Sequence, residues 1–143
     1  MIILQALNRR LMARSEAHAT CLALRIAADG AITLANAGHV PPYLNGEPVA
    51  MEGALPLGIM ECAEFSVMRL SLAEGDKLVL VSDGIVEATD ADGQMFGFER
   101  VHELLRTGKS ASEVASAAQR FGQEDDISFI TVTRTAGLEP TLA

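Results

Sequence analysis

The chain has 143 residues, of which 49% are hydrophobic and 21% charged, so it can fold around one core and is not a disordered chain. Nineteen acidic and eleven basic residues leave a formal charge of −8, which excludes a nucleic-acid-binding surface over most of the molecule. No apolar run approaches the roughly 20 residues of a membrane span, and the first residues do not form a signal peptide pattern. We therefore expect a cytoplasmic chain that makes no contact with a membrane.

The two cysteines, Cys21 and Cys62, lie far apart in apolar stretches of sequence. Isolated cysteines of this kind favour two buried free thiols over a disulfide. No cysteine or histidine pair has the spacing of a zinc site, so the sequence does not predict structural zinc.

The first quarter of the chain predicts a helix followed by a β-hairpin. Residues 3–16 have the apolar spacing of a helix, with one face formed by Ile3, Leu4, Leu7, Leu11 and Met12. Residues 20–27 alternate as in a half-buried strand, and a turn at Asp29-Gly30 leads into a second strand at 31–36. Two strands joined by so short a turn should pair antiparallel.

The rest of the chain predicts further strands, two helices and a last strand. Strands are expected at 65–70 and at 77–82, where the second is apolar enough to be well buried. Apolar spacing indicates a helix at 98–106. Ser110 and Glu113 form a capping box that opens another helix, which ends at Gly122. With a final strand at 127–133, this order predicts an α+β domain.

Two aspartates stand where metal chemistry could be built. Asp83 follows the buried strand at 77–82 and Asp125 precedes the last strand, so both would reach one rim if these strands are antiparallel neighbours. Carboxylates that leave room for water suit Mg²⁺ and Mn²⁺. Asp-Gly after a strand is also an ordinary turn, and an aspartate before an element is also an ordinary cap. His39 has the same ambiguity, as a general acid or phosphate contact or as a hydrogen-bonded structural residue.

Five short motifs occur in one order: 36–43 (NAGHVPPY), 55–58 (LPLG), 80–88 (LVSDGIVEA), 93–97 (GQMFG) and 124–128 (EDDIS). Together they make a chain that resembles the C-terminal half of metal-dependent PPM-type protein serine/threonine phosphatases. The bacterial branch typified by the stage II sporulation protein E (SpoIIE) is the most similar. The resemblance runs from about residue 4 to residue 134.

This resemblance implies a fold and a set of site residues. The fold would be an antiparallel β-sandwich flanked by helices, with the N-terminal part of the fold missing, over residues 1–135 and followed by a frayed tail at 136–143. Asp83 and Asp125 match metal ligands of the family, which uses two Mn²⁺ or Mg²⁺ ions. Asp126 matches a position that supports the ligands without binding metal.

The resemblance also implies hydrolysis of phosphoserine or phosphothreonine on a regulatory protein, with anti-anti-sigma-type regulators as the substrates of this branch. The family takes further ligands from an N-terminal half whose motifs do not occur here, so we expect a fragment or an internal start. Two carboxylates cannot fix two ions and the water between them, so the chain alone should be inactive. A non-catalytic remnant or regulatory binding module of the same fold is the alternative.

Overall fold

A computed structural model describes residues 2–14, 17–122 and 124–136 of the chain. The elements follow in the order α1 (Ile2–Met12), β1 (Cys21–Ile26), β2 (Ala31–Ala37), β3 (Tyr43–Leu44), β4 (Glu47–Pro48), β5 (Ser66–Ser71), β6 (Lys77–Val81), α2 (Asp83–Val86), α3 (Gly97–Arg106), α4 (Ala111–Phe121) and β7 (Phe129–Thr133). Within these ranges, every helix is too short or too polar to cross a membrane. The predicted tail lies, from residue 137 onward, outside the described residues.

The strands form two antiparallel sheets, in the orders β1-β2-β5 and β4-β3-β6-β7. The predicted hairpin is confirmed, because β1 pairs antiparallel with β2 across the turn at Asp29-Gly30. Three short elements add to the predicted order, helix α2 and the strands β3 and β4. Helix α2 follows β6 directly, and the short β3–β4 hairpin turns at Asn45-Gly46, where Asn45 takes a left-handed φ of 52°.

The two sheets face each other, as alternation along their central strands shows. Ile32 and Leu34 of β2 join Leu78 and Leu80 of β6 in one buried apolar cluster, which is the layer between the sheets. The side chains that alternate with these four residues point to the opposite face of each strand. Those of β2 pack with α1, and those of β6 pack with α2, α3 and α4. The predicted α+β architecture, an antiparallel β-sandwich flanked by helices, is confirmed.

Helix α1 forms as predicted, but a different face of it is buried. Leu4 is fully buried and Asn8 is 2% exposed, whereas Ile3, Leu7 and Met12 are exposed. The expected apolar face is therefore wrong in three of its five members. Residues 15 and 16 of the predicted helix lie outside the described part of the chain.

A buried amide adds to the apolar packing under α1. Asn8 Nδ2 donates to the Met60 carbonyl over 2.9 Å and to the Glu61 carbonyl over 3.3 Å, while its Oδ1 accepts from the Gly58 N–H over 2.7 Å. Both N–H groups and the oxygen of the amide thus have partners, as burial of a polar group requires. The side chain fastens the loop at 58–61 to the helix.

The cysteines are free, but they are not both buried. Cys62 is exposed on the loop before β5, so the expectation of a buried thiol there is wrong. Cys21 is half-buried against the cluster under α1, and this burial raises the pKa of its thiol. Cys62 directly follows Glu61, whose carbonyl accepts a hydrogen bond from Asn8, and its side chain lies on the surface of the loop.

Helix α4 begins and ends where the sequence predicts. Ser110 Oγ accepts from the Glu113 N–H over 3.3 Å, and Glu113 Oε2 accepts from the Ser110 N–H over 2.9 Å. Gly122 follows the helix at a φ of 131°, with its Cα so close to Thr89 that a Cβ would lie 2.2 Å from the Thr89 carbonyl oxygen. The end of α4 is therefore packed on the segment that follows α2.

Candidate metal centre at the rim of the second sheet

Strands β6 and β7 are antiparallel neighbours, and the end of one lies beside the start of the other. Val81 pairs with Phe129, the last pair of the ladder. Ser82 extends it by one residue, because its N–H donates to the Ser128 carbonyl over 2.9 Å and its Oγ accepts from the Ser128 N–H over 2.8 Å. The chain segments of Asp83 and Asp125 therefore leave the sheet at one rim.

A glycine lets these two segments touch. A Cβ at Gly84 would lie 2.5 Å from the Asp126 carbonyl oxygen and 3.6 Å from the Asp125 carbonyl carbon. Ser82 Oγ also reaches the Asp126 carbonyl oxygen over 3.3 Å. The backbone that follows β6 and the backbone that precedes β7 are thus in van der Waals contact.

Both candidate carboxylates keep an oxygen available. Asp83 Oδ1 accepts from the Gly84 N–H over 3.1 Å, and Asp125 Oδ1 accepts from the Asp126 N–H over 2.7 Å. Neither Oδ2 has a hydrogen-bond partner among the residues described. These local bonds are those of a turn or cap, so the ordinary interpretation and the metal-ligand interpretation both fit the geometry.

The two carboxylates line separate cavities. Asp83 lines a cavity of about 300 Å³ that Gly38 and Gly97 also line, and Asp125 lines one of about 310 Å³ beside Glu124. Glu87, at the end of α2, lines both cavities. Across residues 2–14, 17–122 and 124–136, no three histidine, cysteine, aspartate or glutamate side chains are grouped closely enough to hold a metal ion. The structure brings the two segments together without completing a site.

Acidic side chains that sequence reasoning did not select surround Asp125. Glu87, Asp90 and Glu124 line its cavity, and Asp90 Oδ1 accepts from the Gln94 N–H over 2.9 Å. Carboxylates that share a concave surface create the negative potential that attracts divalent cations. Glu87 and Glu124 belong to the motifs at 80–88 and 124–128, and this membership could have identified them from the sequence. Asp90 occupies an ordinary turn, so no sequence feature points to it.

The remaining candidates have local structural contacts. His39 Nδ1 lies 2.9 Å from the Val40 carbonyl oxygen, and the backbone N–H of His39 donates to Oδ1 of the buried Asn36 over 2.8 Å. Asn36 Nδ2 donates to the His39 carbonyl over 3.0 Å, which closes the loop. This favours the structural interpretation of His39. Asp126 is exposed and meets the site through its backbone, and its supporting role stays a prediction.

Comparison of the sequence with known proteins gives one family and one curated relative. The sequence profile of the stage II sporulation protein E (SpoIIE) family matches residues 2–135. Protein IcfG from Synechocystis is 29% identical over 119 residues, which cover 74% of this chain and 19% of that protein. The chain therefore spans about a fifth of the length of the curated relative that it matches.

Solved structures show the same fold. The phosphatase domain of the cell fate determinant SpoIIE from Bacillus subtilis, presoaked with Mn, matches with a TM-score of 0.62 at 21% identity, covering 96% of this chain and 66% of that chain. The RsbU and RsbW domains of a Mycobacterium tuberculosis protein match with a TM-score of 0.71 at 20% identity, covering 95% of this chain and 42% of theirs. Since the family profile spans nearly the whole sequence, the chain belongs to the SpoIIE family.

Proposed function

We propose that this chain supplies part of the metal site of a phosphatase that hydrolyses phosphoserine or phosphothreonine on a regulatory protein. The observation that carries the proposal is the antiparallel β6–β7 pairing, which brings the segments of Asp83 and Asp125 to one rim in a member of the SpoIIE family. The Bacillus subtilis SpoIIE domain was presoaked with Mn, which supports a divalent metal here. Anti-anti-sigma-type substrates and a cytoplasmic location belong to the same proposal.

In this proposal Asp83 and Asp125 hold Mn²⁺ or Mg²⁺ through the oxygens that their local hydrogen bonds leave available. A pair of such ions, when bound, activates water and stabilises charge on a phosphoryl group. Glu87 and Glu124 raise the local concentration of cations. Asp126 sets the position of Asp125 through its backbone, and Gly84 sets the separation of the two segments.

The direct test uses the full-length gene product and a phosphoserine peptide. With Mn²⁺ present, Asp83→Asn and Asp125→Asn should each lower kcat/KM by roughly 100-fold or more, because an amide is a weaker ligand than a carboxylate. Calorimetry should show weaker Mn²⁺ binding in both variants. Asp92→Asn is the matched control, since Asp92 is exposed on a turn outside both cavities. Near-normal turnover in both test variants would remove the ligand assignment.

The 143-residue chain alone should release no phosphate, because two carboxylates leave each ion short of ligands. In the described ranges, no three metal-binding side chains lie close enough together to hold an ion. This observation favours a second candidate function, a non-catalytic binding module. Titration of the chain with Mn²⁺ separates the two. Tight binding supports a working half-site, whereas no heat at millimolar metal supports the binding module.

A further inference from the structure

A groove lies between the β3–β4 hairpin and the first turn of α3, outside the candidate metal centre. Its volume is about 400 Å³, and it is lined by Pro41, Tyr43, Pro48, Phe98, Glu99 and His102. Four of these six are rings without charge, and Phe98 is 51% exposed although it is a large apolar side chain. An aromatic and prolyl surface that stays open to solvent is typical of a binding site.

The floor of the groove carries a hydroxyl without a partner. Tyr43 is only 2% exposed, and its hydroxyl forms no hydrogen bond with any residue that the structure describes. Every fully enclosed side-chain nitrogen or oxygen in those residues does have a partner, so the Tyr43 hydroxyl must open to solvent through the groove. Burial and the Glu99 carboxylate raise the pKa of Tyr43, and the hydroxyl therefore remains a hydrogen-bond donor.

The rim of the groove is acidic. Glu99 is exposed on α3, and Glu47 of the hairpin lies 2.9 Å from His102 Nε2 with 63% of its side chain exposed. Both carboxylates belong to a chain with a net charge of −8. Glu99 lines the groove, and a ligand there meets its negative charge, so a positively charged group fits this rim.

From these features we infer that the groove binds an extended, proline-containing peptide segment of a protein partner, with an arginine or lysine next to the proline. Proline rings pack on aromatic and prolyl surfaces, and such segments are already extended before they bind. The proline itself has no N–H and offers only its carbonyl, which can accept a hydrogen bond from a donor such as the Tyr43 hydroxyl. The basic side chain then meets Glu99. This inference does not depend on phosphatase activity.

The groove is close to the candidate metal centre without being part of it. Phe98 lines both the groove and the cavity of Asp83. A peptide held in the groove would therefore lie one side chain away from that cavity. The same partner could be anchored here while another of its segments reaches the rim of β6 and β7.

The first test is selection from a library of twelve-residue peptides, each with one fixed central proline and random flanks, on the 143-residue chain. We expect the bound pool to be enriched in arginine and lysine beside the proline, and we expect no such enrichment on Phe98→Ala. A pool enriched in acidic residues, or a pool that is the same on both proteins, would contradict the inference. Self-association that Phe98→Ala abolishes would identify a second copy of the chain as the occupant and would also overturn it.

The second test measures the affinity of the best selected peptide by fluorescence anisotropy. Tyr43→Phe removes one hydroxyl and should weaken binding about threefold to tenfold, as loss of one hydrogen bond predicts. Glu99→Gln should weaken binding about threefold and flatten its salt dependence. Glu103→Gln is the matched control, since Glu103 lies on α3 outside the groove and pairs with Arg106. Equal affinity of the wild type and the three variants for the peptide, with unchanged thermal transitions, would refute peptide binding in the groove.

Discussion

The two sides of the sandwich are closed in different ways. On the side of the second sheet, helices α2, α3 and α4 bury an apolar cluster that includes Ile85, Val101 and Val114, each fully enclosed. On the side of the first sheet, α1 contributes one enclosed apolar side chain, Leu4, and one buried amide, Asn8. Nonpolar packing therefore holds the helices beside the candidate metal centre, whereas α1 combines a smaller apolar contact with the hydrogen bonds of a buried amide.

The largest effect should come from the apolar side. Ile85 lies in α2, two residues after Asp83, and is 0% exposed. Ile85→Ala should lower the free energy of unfolding by about 2–5 kcal/mol, because it removes buried methyl groups and leaves a cavity. Urea denaturation followed by circular dichroism measures this. Ile130→Ala is the control, since Ile130 is 57% exposed and should change stability by no more than about 0.5 kcal/mol. Equal losses would mean that α2 adds no packing of its own.

A smaller effect is expected under α1, where a more apolar side chain should lower stability. Asn8→Leu keeps the size of the side chain but leaves the Met60 and Glu61 carbonyls and the Gly58 N–H without their partner. Stranded polar groups of this kind cost about 1–3 kcal/mol, so the variant should be less stable although it is more apolar.

The same denaturation experiment checks this, with Gln5→Leu on the exposed side of α1 as its control. A stabilised Asn8→Leu protein would show that both sides of the sandwich depend on apolar burial, and would erase the difference between them.

The smallest effect concerns acid and the cap of α4. Hydrogen bonds from Ser110 and Lys109 lower the pKa of Glu113 from 4.5 to about 2. A group whose pKa is lower in the folded state stabilises the fold above its unfolded pKa, and loses that contribution as pH falls through the folded value. Stability of the wild type should therefore decline between pH 4.5 and pH 2 more than that of Glu113→Gln.

Thermal melting across this pH range measures the Glu113 contribution. Glu64→Gln serves as the control, because Glu64 is exposed on the loop before β5, on the other side of the sandwich. Parallel pH profiles for wild type and Glu113→Gln would show that the cap contributes nothing measurable to stability.

Signals that are local in sequence predicted most of the fold. The capping box of Ser110 and Glu113 specifies its own helix start, because the hydrogen bonds join residues three apart. The β1–β2 hairpin has its turn at Asp29-Gly30, so its pairing was also fixed by neighbours. The meeting of β6 and β7 is not local. The sequence predicts a shared rim only if these two strands are antiparallel neighbours, and the structure shows that they are.

The features that sequence reasoning missed depend on distant contacts. Asn8 is polar, so apolar periodicity assigns it to the surface, yet the loop at 58–61 offers it three hydrogen bonds. Cys62 was expected inside as an isolated thiol, but Glu61 and Glu64 stand beside it and its side chain is exposed. The cavities around Asp83 and Asp125 require the packing of α2 against its neighbours, which no single stretch of sequence encodes.

Gly84 limits the substitutions that this chain can accept in evolution. Because a Cβ there would collide with the backbone of Asp126, the closeness of the two aspartate segments is secured by the lack of a side chain. Even alanine would act as a wedge between them. Under the proposed function, a substitution of this glycine would disturb both aspartates together, so the three positions should be kept or abandoned as a set.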